Sequence, residues 1–258
     1  MLDPALRRRL SEVARGTAAE APVEISAASQ TTVPFRPAFR VEHRASDGSG
    51  ELLIAEFPAV EACPEIGSLA SGITALRALL DCEPERILVL DIETAGFCGV
   101  PLFLIGALRF HQGDPHILQI FARDYAEEKR LLCEFARVAA GYDAAITFNG
   151  SSFDLPFLRD RGVFHHVPIG LPERHFDVLT HARRRWRREL PDCRLQTLET
   201  SICGRRRCGD VPGSLIPGMY HEYVRTGDIS PLLPVFHHNA LDLVTTLEIC
   251  LRLGAEAD

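Results

Sequence analysis

The chain has 258 residues, 46% of them hydrophobic, with 35 acidic against 28 basic side chains and a formal net charge of −7. That is enough apolar sequence for one substantial core plus an appendage, while no run of about 18 apolar residues offers a transmembrane span and residues 1–10 lack the apolar stretch of a secretory signal. Eight scattered cysteines in a chain of this size read as thiols rather than a disulfide scaffold, so the composition implies a cytoplasmic protein with no membrane contact.

In chain order, residues 3–15 suggest a short amphipathic helix, and residues 16–50, rich in Ala, Ser, Thr, Pro and Gly, read as a loosely attached extension. We therefore divide the chain into an N-terminal helix and flexible extension (1–50), a lead-in segment (51–85) and a main domain (86–253). The lead-in carries a strand-like Glu51–Phe57 and a helix-like Gly72–Leu80. The main domain opens with strands near 86–92, 101–110 and 115–122, continues with a helix near 125–140, a strand at 143–148 and a helix from 152, and is mostly helical beyond 174. Three strands, a helix, a strand and further helices predict an α/β domain with a mixed β-sheet flanked by helices and a helical C-terminal part. There is no internal repeat and no Gly-rich phosphate loop.

The first strand holds the first candidate site. Ile87 to Leu90 are apolar and rich in β-branched residues, and Asp91 and Glu93 follow at its end. Strand side chains alternate, so these two acids share a face with Ile92 opposite. Side by side at the end of a buried strand they repel each other, an arrangement that cations between them would relieve. A second acid, Asp154, follows the strand-like Ala144–Phe148 and the breaker Asn149-Gly150, with Ser151 or Ser152 placed to cap a helix that carries Phe153, Phe157 and Leu158 inward. The third setting is Phe236-His-His-Asn-Ala-Leu-Asp242 on a late helix, where His238 and Asp242 are four apart and share a face. Each motif alone has an ordinary reading: solvated acids, a helix-dipole acid, surface histidines.

In order, Asp-x-Glu on a first strand, Asn-Gly-x-x-Phe-Asp at a strand–helix junction and His-x-x-x-Asp on a C-terminal helix resemble the DEDD exonuclease superfamily, and within it the YprB-type ribonuclease H-like domain family. The text between agrees: Phe103-Leu-Ile-Gly106, Phe176-Asp-Val-Leu179 with Ala182 and Arg183, Leu195-Gln-Thr-Leu-Glu199, and Asp210-Val-Pro-Gly213 with Ile216 and Pro217. The resemblance runs from about residue 86 to 253. It implies a ribonuclease H-like fold and a metal-dependent 3′–5′ exonuclease acting on single-stranded nucleic acid, with Asp91, Glu93, Asp154 and Asp242 as ligands of two Mg²⁺ or Mn²⁺ ions. Hard divalent ions prefer such oxygen ligands, and two of them can activate water and stabilise the leaving oxygen. Related exonucleases carry a histidine or tyrosine before the last aspartate; this chain has histidine at both spacings. The resemblance favours His238 as the group acting on the attacking water, with His237 the alternative. Thr94, Asn149 and Phe153 in these motifs are the candidate substrate contacts, with Arg183 and Arg184.

Arginine supplies nearly all the positive charge, Lys129 being the single lysine. Residues 183–188 hold five arginines around Trp186, and Arg205 to Arg207 form a second run, so phosphate contacts and an indole stacking plane are expected from at least one. Cys193, Cys203 and Cys208 lack the paired spacing of a zinc site. The sequence leaves open DNA against RNA, exonuclease against structure-specific endonuclease, and a non-catalytic nucleic-acid-binding or scaffold module on the same fold.

Overall fold

The computed structural model describes residues 31–33, 42–45, 51–64, 73–97 and 99–255. The helix expected over residues 3–15 lies outside the described residues. Nine strands, β1 (Thr31–Val33), β2 (Glu42–Ala45), β3 (Glu51–Pro58), β4 (Ile87–Thr94), β5 (Leu102–His111), β6 (Asp114–Phe121), β7 (Ala144–Thr147), β8 (Arg174–Asp177) and β9 (Arg205–Arg207), are among them. The α-helices are α1 (Ala59–Ala62), α2 (Ile73–Leu80), α3 (Glu128–Ala139), α4 (Asp154–His165), α5 (Val178–Trp186), α6 (Leu195–Ser201), α7 (Ile216–Thr226) and α8 (Leu233–Ala255).

Seven strands form one mixed sheet in the order β2-β3-β6-β5-β4-β7-β8. From β2 to β4 every pair is antiparallel, whereas β4–β7 and β7–β8 are parallel. The lead-in segment thus contributes β3 beside β6, while the edge strand β2 comes from the 16–50 stretch expected to be a loose extension. Separately, β1 pairs in parallel with β9, matching Val33 with Arg207.

Central β4 is buried on both faces, and its alternation assigns each residue to a layer. Ile87 and Val89 join a cluster with Ala240, Leu243, Val244 and Leu247 of α8. Leu88, Leu90 and Ile92 point the other way, to Leu131 and Phe135 of α3 and Leu158 of α4. Asp91 and Glu93 continue the odd-numbered series and therefore emerge on the α8 side. A third cluster packs α7 against the sheet: the Phe103 and Tyr220 rings stack 4.0 Å apart, and Tyr220 donates a 3.0 Å hydrogen bond to the Ala122 carbonyl. On the opposite layer the Glu128 carboxylate receives Arg161 Nε at 2.6 Å and the Leu102 backbone N–H at 2.9 Å, which ties α3 and α4 to β5.

Candidate active site

Asp91 stands opposite Gly106 in the β4–β5 register, and Gly106 in turn stands opposite Gln119 of β6. A Cβ on Gly106 would lie 2.1 Å from Asn239 Oδ1, so the missing side chain is what lets α8 bring Asn239 down onto the sheet. There Asn239 Nδ2 donates to Asp91 Oδ2 at 2.7 Å, while Gln119 Nε2 donates to Asn239 Oδ1 at 2.8 Å and to the Phe236 carbonyl at 2.7 Å. A polar line across three strands fixes the Asp91 carboxylate. Between Glu93 and Thr94 the β4–β5 register slips, and Thr94 donates its hydroxyl to the Gly96 carbonyl at 2.5 Å.

Asp154 opens α4, as its sequence setting predicts, but the expected serine cap is absent: Phe153 is the N-cap residue and no side chain bonds there. The turn is held instead from below. Asp177 accepts from the backbone N–H groups of Asn149 (2.9 Å), Ser151 (3.1 Å) and Leu179 (3.1 Å). Asn149 adopts a left-handed φ of 65°, and a Cβ on Gly150 would meet Thr147 Oγ1 at 2.2 Å. This tight corner delivers Asp154, nearly fully buried, to a position where its carboxylate accepts the Ile92 backbone N–H between the two β4 acids.

From α8 come Asp242 and His238, whose Nε2 is 3.4 Å from Asp242 Oδ2. His238 Nδ1 is 2.6 Å from Asp210 Oδ1. Arg207 completes the arrangement, with Nη2 2.6 Å from Asp242 Oδ1 and Nε donating to Glu199 Oε2 at 2.5 Å. Neither Arg207 nor Asp210 is among the catalytic or metal-ligating candidates the sequence offers. Arg207 sat in what looked like a surface charge run, and Asp210 only in a matching string of residues.

The electrostatics follow from these positions. Burial raises Asp91 well above the usual carboxylate range, with Asp242, Glu93 and Asp154 adding repulsion. Burial likewise lifts Glu93 to about 8, against the pull of His238, and Asp154 to about 7, against two backbone N–H groups. Burial would lower His238, yet Asp242, Asp210 and Glu93 overcome it and hold its proton up to about 10. The near-neutral titration expected of an ordinary imidazole is therefore displaced upward. His237 goes the other way, to about 4, through burial and the Arg207 charge. Asp210, although buried, is held down to about 2 by His238 and Arg207.

Two cavities flank the acids. One, of about 310 Å³, is lined by Glu93, Thr94, Phe97, Phe153, Ile216 and Pro217, among others. The other, of about 470 Å³, brings together Asp91, Asn149, Arg183, Arg194 and Asp242. Arg184 is exposed on α5 and does not line either of these two. The two basic runs have opposite fates. Arg183, Arg184, Arg185, Arg187 and Arg188 are exposed, but Trp186 is only 3% exposed and packed in the core, so the expected indole stacking plane does not exist. In the second run Arg206 is exposed, whereas Arg205 and Arg207 are buried in ion pairs with Glu199, Glu248 and Asp242. That run is structural and offers no phosphate-binding patch.

Among the described residues no three His, Cys, Asp or Glu side chains stand as a ready-made ligating cluster. The carboxylates of Asp91, Glu93, Asp154 and Asp242 are near enough to repel one another. The donor set nonetheless fits hard divalent cations: it is all oxygen, desolvated and anionic in excess of its fixed counter-charges.

Strand order β6-β5-β4-β7-β8, three antiparallel strands then two parallel ones with α8 across one face, defines a ribonuclease H-like α/β fold. A sequence profile of the RNase_H superfamily matches residues 88–253, and the chain belongs to that superfamily. It is 27% identical over 189 residues to the uncharacterized protein YprB of Bacillus subtilis (strain 168), the relative its sequence motifs resemble; the match spans 71% of this chain but 46% of that protein. The family B DNA polymerase from the hyperthermophilic archaeon Pyrobaculum calidifontis shares the fold, with a TM-score of 0.53 and 18% identity over 66% of this chain and 24% of the polymerase.

Proposed function

We propose that this chain is a metal-dependent nuclease that hydrolyses phosphodiester bonds from the 3′ end of single-stranded nucleic acid. The observation that carries the reading is that Asp91, Glu93, Asp154 and Asp242, from β4, α4 and α8, repel one another across a buried region, three of them pushed toward the protonated form by burial and that repulsion. Buried acids in mutual repulsion are costly to stability, and such perturbed groups mark functional sites more often than structural ones. These four residues would hold two Mg²⁺ or Mn²⁺ ions, which supply water activation and charge relief at the phosphoryl group.

The rest falls to the protein's own groups. Asn239 orients the Asp91 carboxylate, and Asp210 orients the His238 ring by engaging Nδ1. That leaves Nε2 as the nitrogen facing the site. In the neutral ring, its Nε2 proton lost to solvent, Nε2 would take one from the attacking water. The Glu93 cavity, with Phe153 on its wall, receives the terminal nucleotide, and the cavity with Asn149 and Arg183 receives the adjoining backbone. No helix among the described residues is long and apolar enough to cross a membrane. We assign it to the cytoplasm, where its scattered cysteines would stay as thiols.

The test is incubation with 5′-labelled single-stranded DNA and RNA, with Mg²⁺ or Mn²⁺ and with chelator. We expect a descending ladder that chelator abolishes and that a blocked 3′ end slows. Asp91→Ala or Asp154→Ala should remove the ladder while the cation-free protein melts no lower than wild type, because a repelling charge has gone. Cleavage that persists undiminished in either variant refutes the site. Internal cuts in a circular strand establish endonuclease action instead.

A further inference from the structure

Arg207 is 4% exposed at its side chain and sits among three acids. Its Nε donates to Glu199 Oε2 at 2.5 Å, its Nη1 is 3.4 Å from Asp210 Oδ2, and its Nη2 is 2.6 Å from Asp242 Oδ1. Glu199 is itself fixed: Thr245 Oγ1 donates to it at 2.9 Å and Arg205 Nε lies 3.5 Å away. Backbone pairing of β9 with β1 restrains Arg207 further. The two oxygens of Asp242 consequently have different company, Arg207 on Oδ1 and, at 3.4 Å, His238 on Oδ2.

A guanidinium does not lose its proton in proteins. Buried this deeply, it cannot swing into solvent without leaving Glu199 and Asp210 as under-compensated buried charges. We infer that Arg207 is a positioning residue for Asp242: a fixed counter-charge that commits Oδ1, leaves Oδ2 as the oxygen offered to a divalent cation, and holds the cation affinity of the site below what its carboxylates alone would give. The inference rests on the reading of Asp242 as a cation ligand. Its physical content is like-charge repulsion across a poorly screened distance, since a cation at Oδ2 shares one carboxylate with a permanent positive charge. A purely structural arginine would change stability when replaced and leave cation affinity alone.

The probe is Mn²⁺ alone, titrated calorimetrically into the wild-type chain, Arg207→Gln and Arg207→Lys, with thermal melts run in parallel. Arg207→Gln should bind Mn²⁺ about tenfold more tightly or better, while its turnover on labelled strands falls because Asp242 is no longer oriented. Arg207→Lys, which keeps a buried positive charge, should bind Mn²⁺ near the wild-type strength. Should Arg207→Gln fail to fold, the charge-balanced Arg207→Gln/Glu199→Gln protein answers the same question, with a smaller gain in the same direction. A folded variant whose Mn²⁺ affinity is unchanged or weaker overturns the inference and leaves the site reading intact. If wild type and variants alike bind no Mn²⁺, the cation-site reading has failed and this inference falls with it.

Discussion

His237 and His238 are neighbours in sequence with opposite electrostatic states, and the helix explains why. Consecutive residues on an α-helix differ by about 100°, and α8 begins at Leu233, so the helix is already regular through both. His238 is thereby turned onto Asp210, Asp242 and Glu93, which hold its proton, while His237 is turned into a buried setting near the Arg207 charge and kept neutral. The four-residue spacing to Asp242 thus reads correctly from the sequence. The proton state does not, because it depends on Asp210, which arrives from a segment 28 residues away. His238→Ala should lower turnover by roughly 10²-fold or more, the scale of a lost proton-transfer group, with strand affinity nearly unchanged; His237→Ala should be mild. Single-turnover rates for both variants decide the matter, and a larger loss at His237 would show that the wrong imidazole has been assigned.

At the scale of elements, the site depends on how closely α8 approaches the sheet, and that is set by an absence. Gly106 sits mid-strand in a run of Leu, Phe, Ile and Ala, where a glycine weakens the strand unless something must come near. What comes near is the Asn239 amide, which would be 2.1 Å from a Cβ at Gly106. Gly106→Ala should therefore force α8 outward or swing Asn239 off Asp91. We expect a loss of about 1–3 kcal/mol in chemical denaturation, the range for overpacking a core, together with a fall in turnover. Unchanged stability would mean that Asn239 can turn aside freely. β4, β5, β6 and α3 fall within a few residues of expectation because apolar runs and helical repeats mark them locally, whereas β8 and β9 lie in the stretch beyond 174 expected to be mostly helical. The absence of a serine cap on α4 was not legible, because Asp177 on distant β8 supplies the turn's acceptors instead.

The chain carries a net charge of −7, and on the proposed reading it must hold a polyanion, so its distribution of arginine decides where. Counting charges along the chain gives two basic runs, of five and three arginines. Folding separates them, because β9 carries Arg205 and Arg207 into the interior against Glu199 and Glu248, whereas α5 buries only Val178, Leu179, Ala182 and Trp186 and leaves its arginines in solvent. Ion pairing of that kind needs partners far away in sequence, which no local pattern reveals. Of the exposed set, Arg185 is engaged with Glu189 at 2.6 Å, and Arg183 alone among the α5 arginines lines the cavity that holds Asp91 and Asp242. A strand bound there releases counterions from each neutralised phosphate, and for single strands the slope of log affinity against log salt falls by about 0.7 per contact. Arg183→Ala should weaken single-strand binding at low salt and flatten that slope by about 0.7, with Arg184→Ala having a smaller effect. Arg206→Ala, which removes another exposed charge, on β9, should leave both affinity and slope near wild type. Fluorescence anisotropy across a salt series, with chelator present to prevent cleavage, measures all three. Equal slopes for Arg183→Ala and wild type would remove α5 from the strand's path.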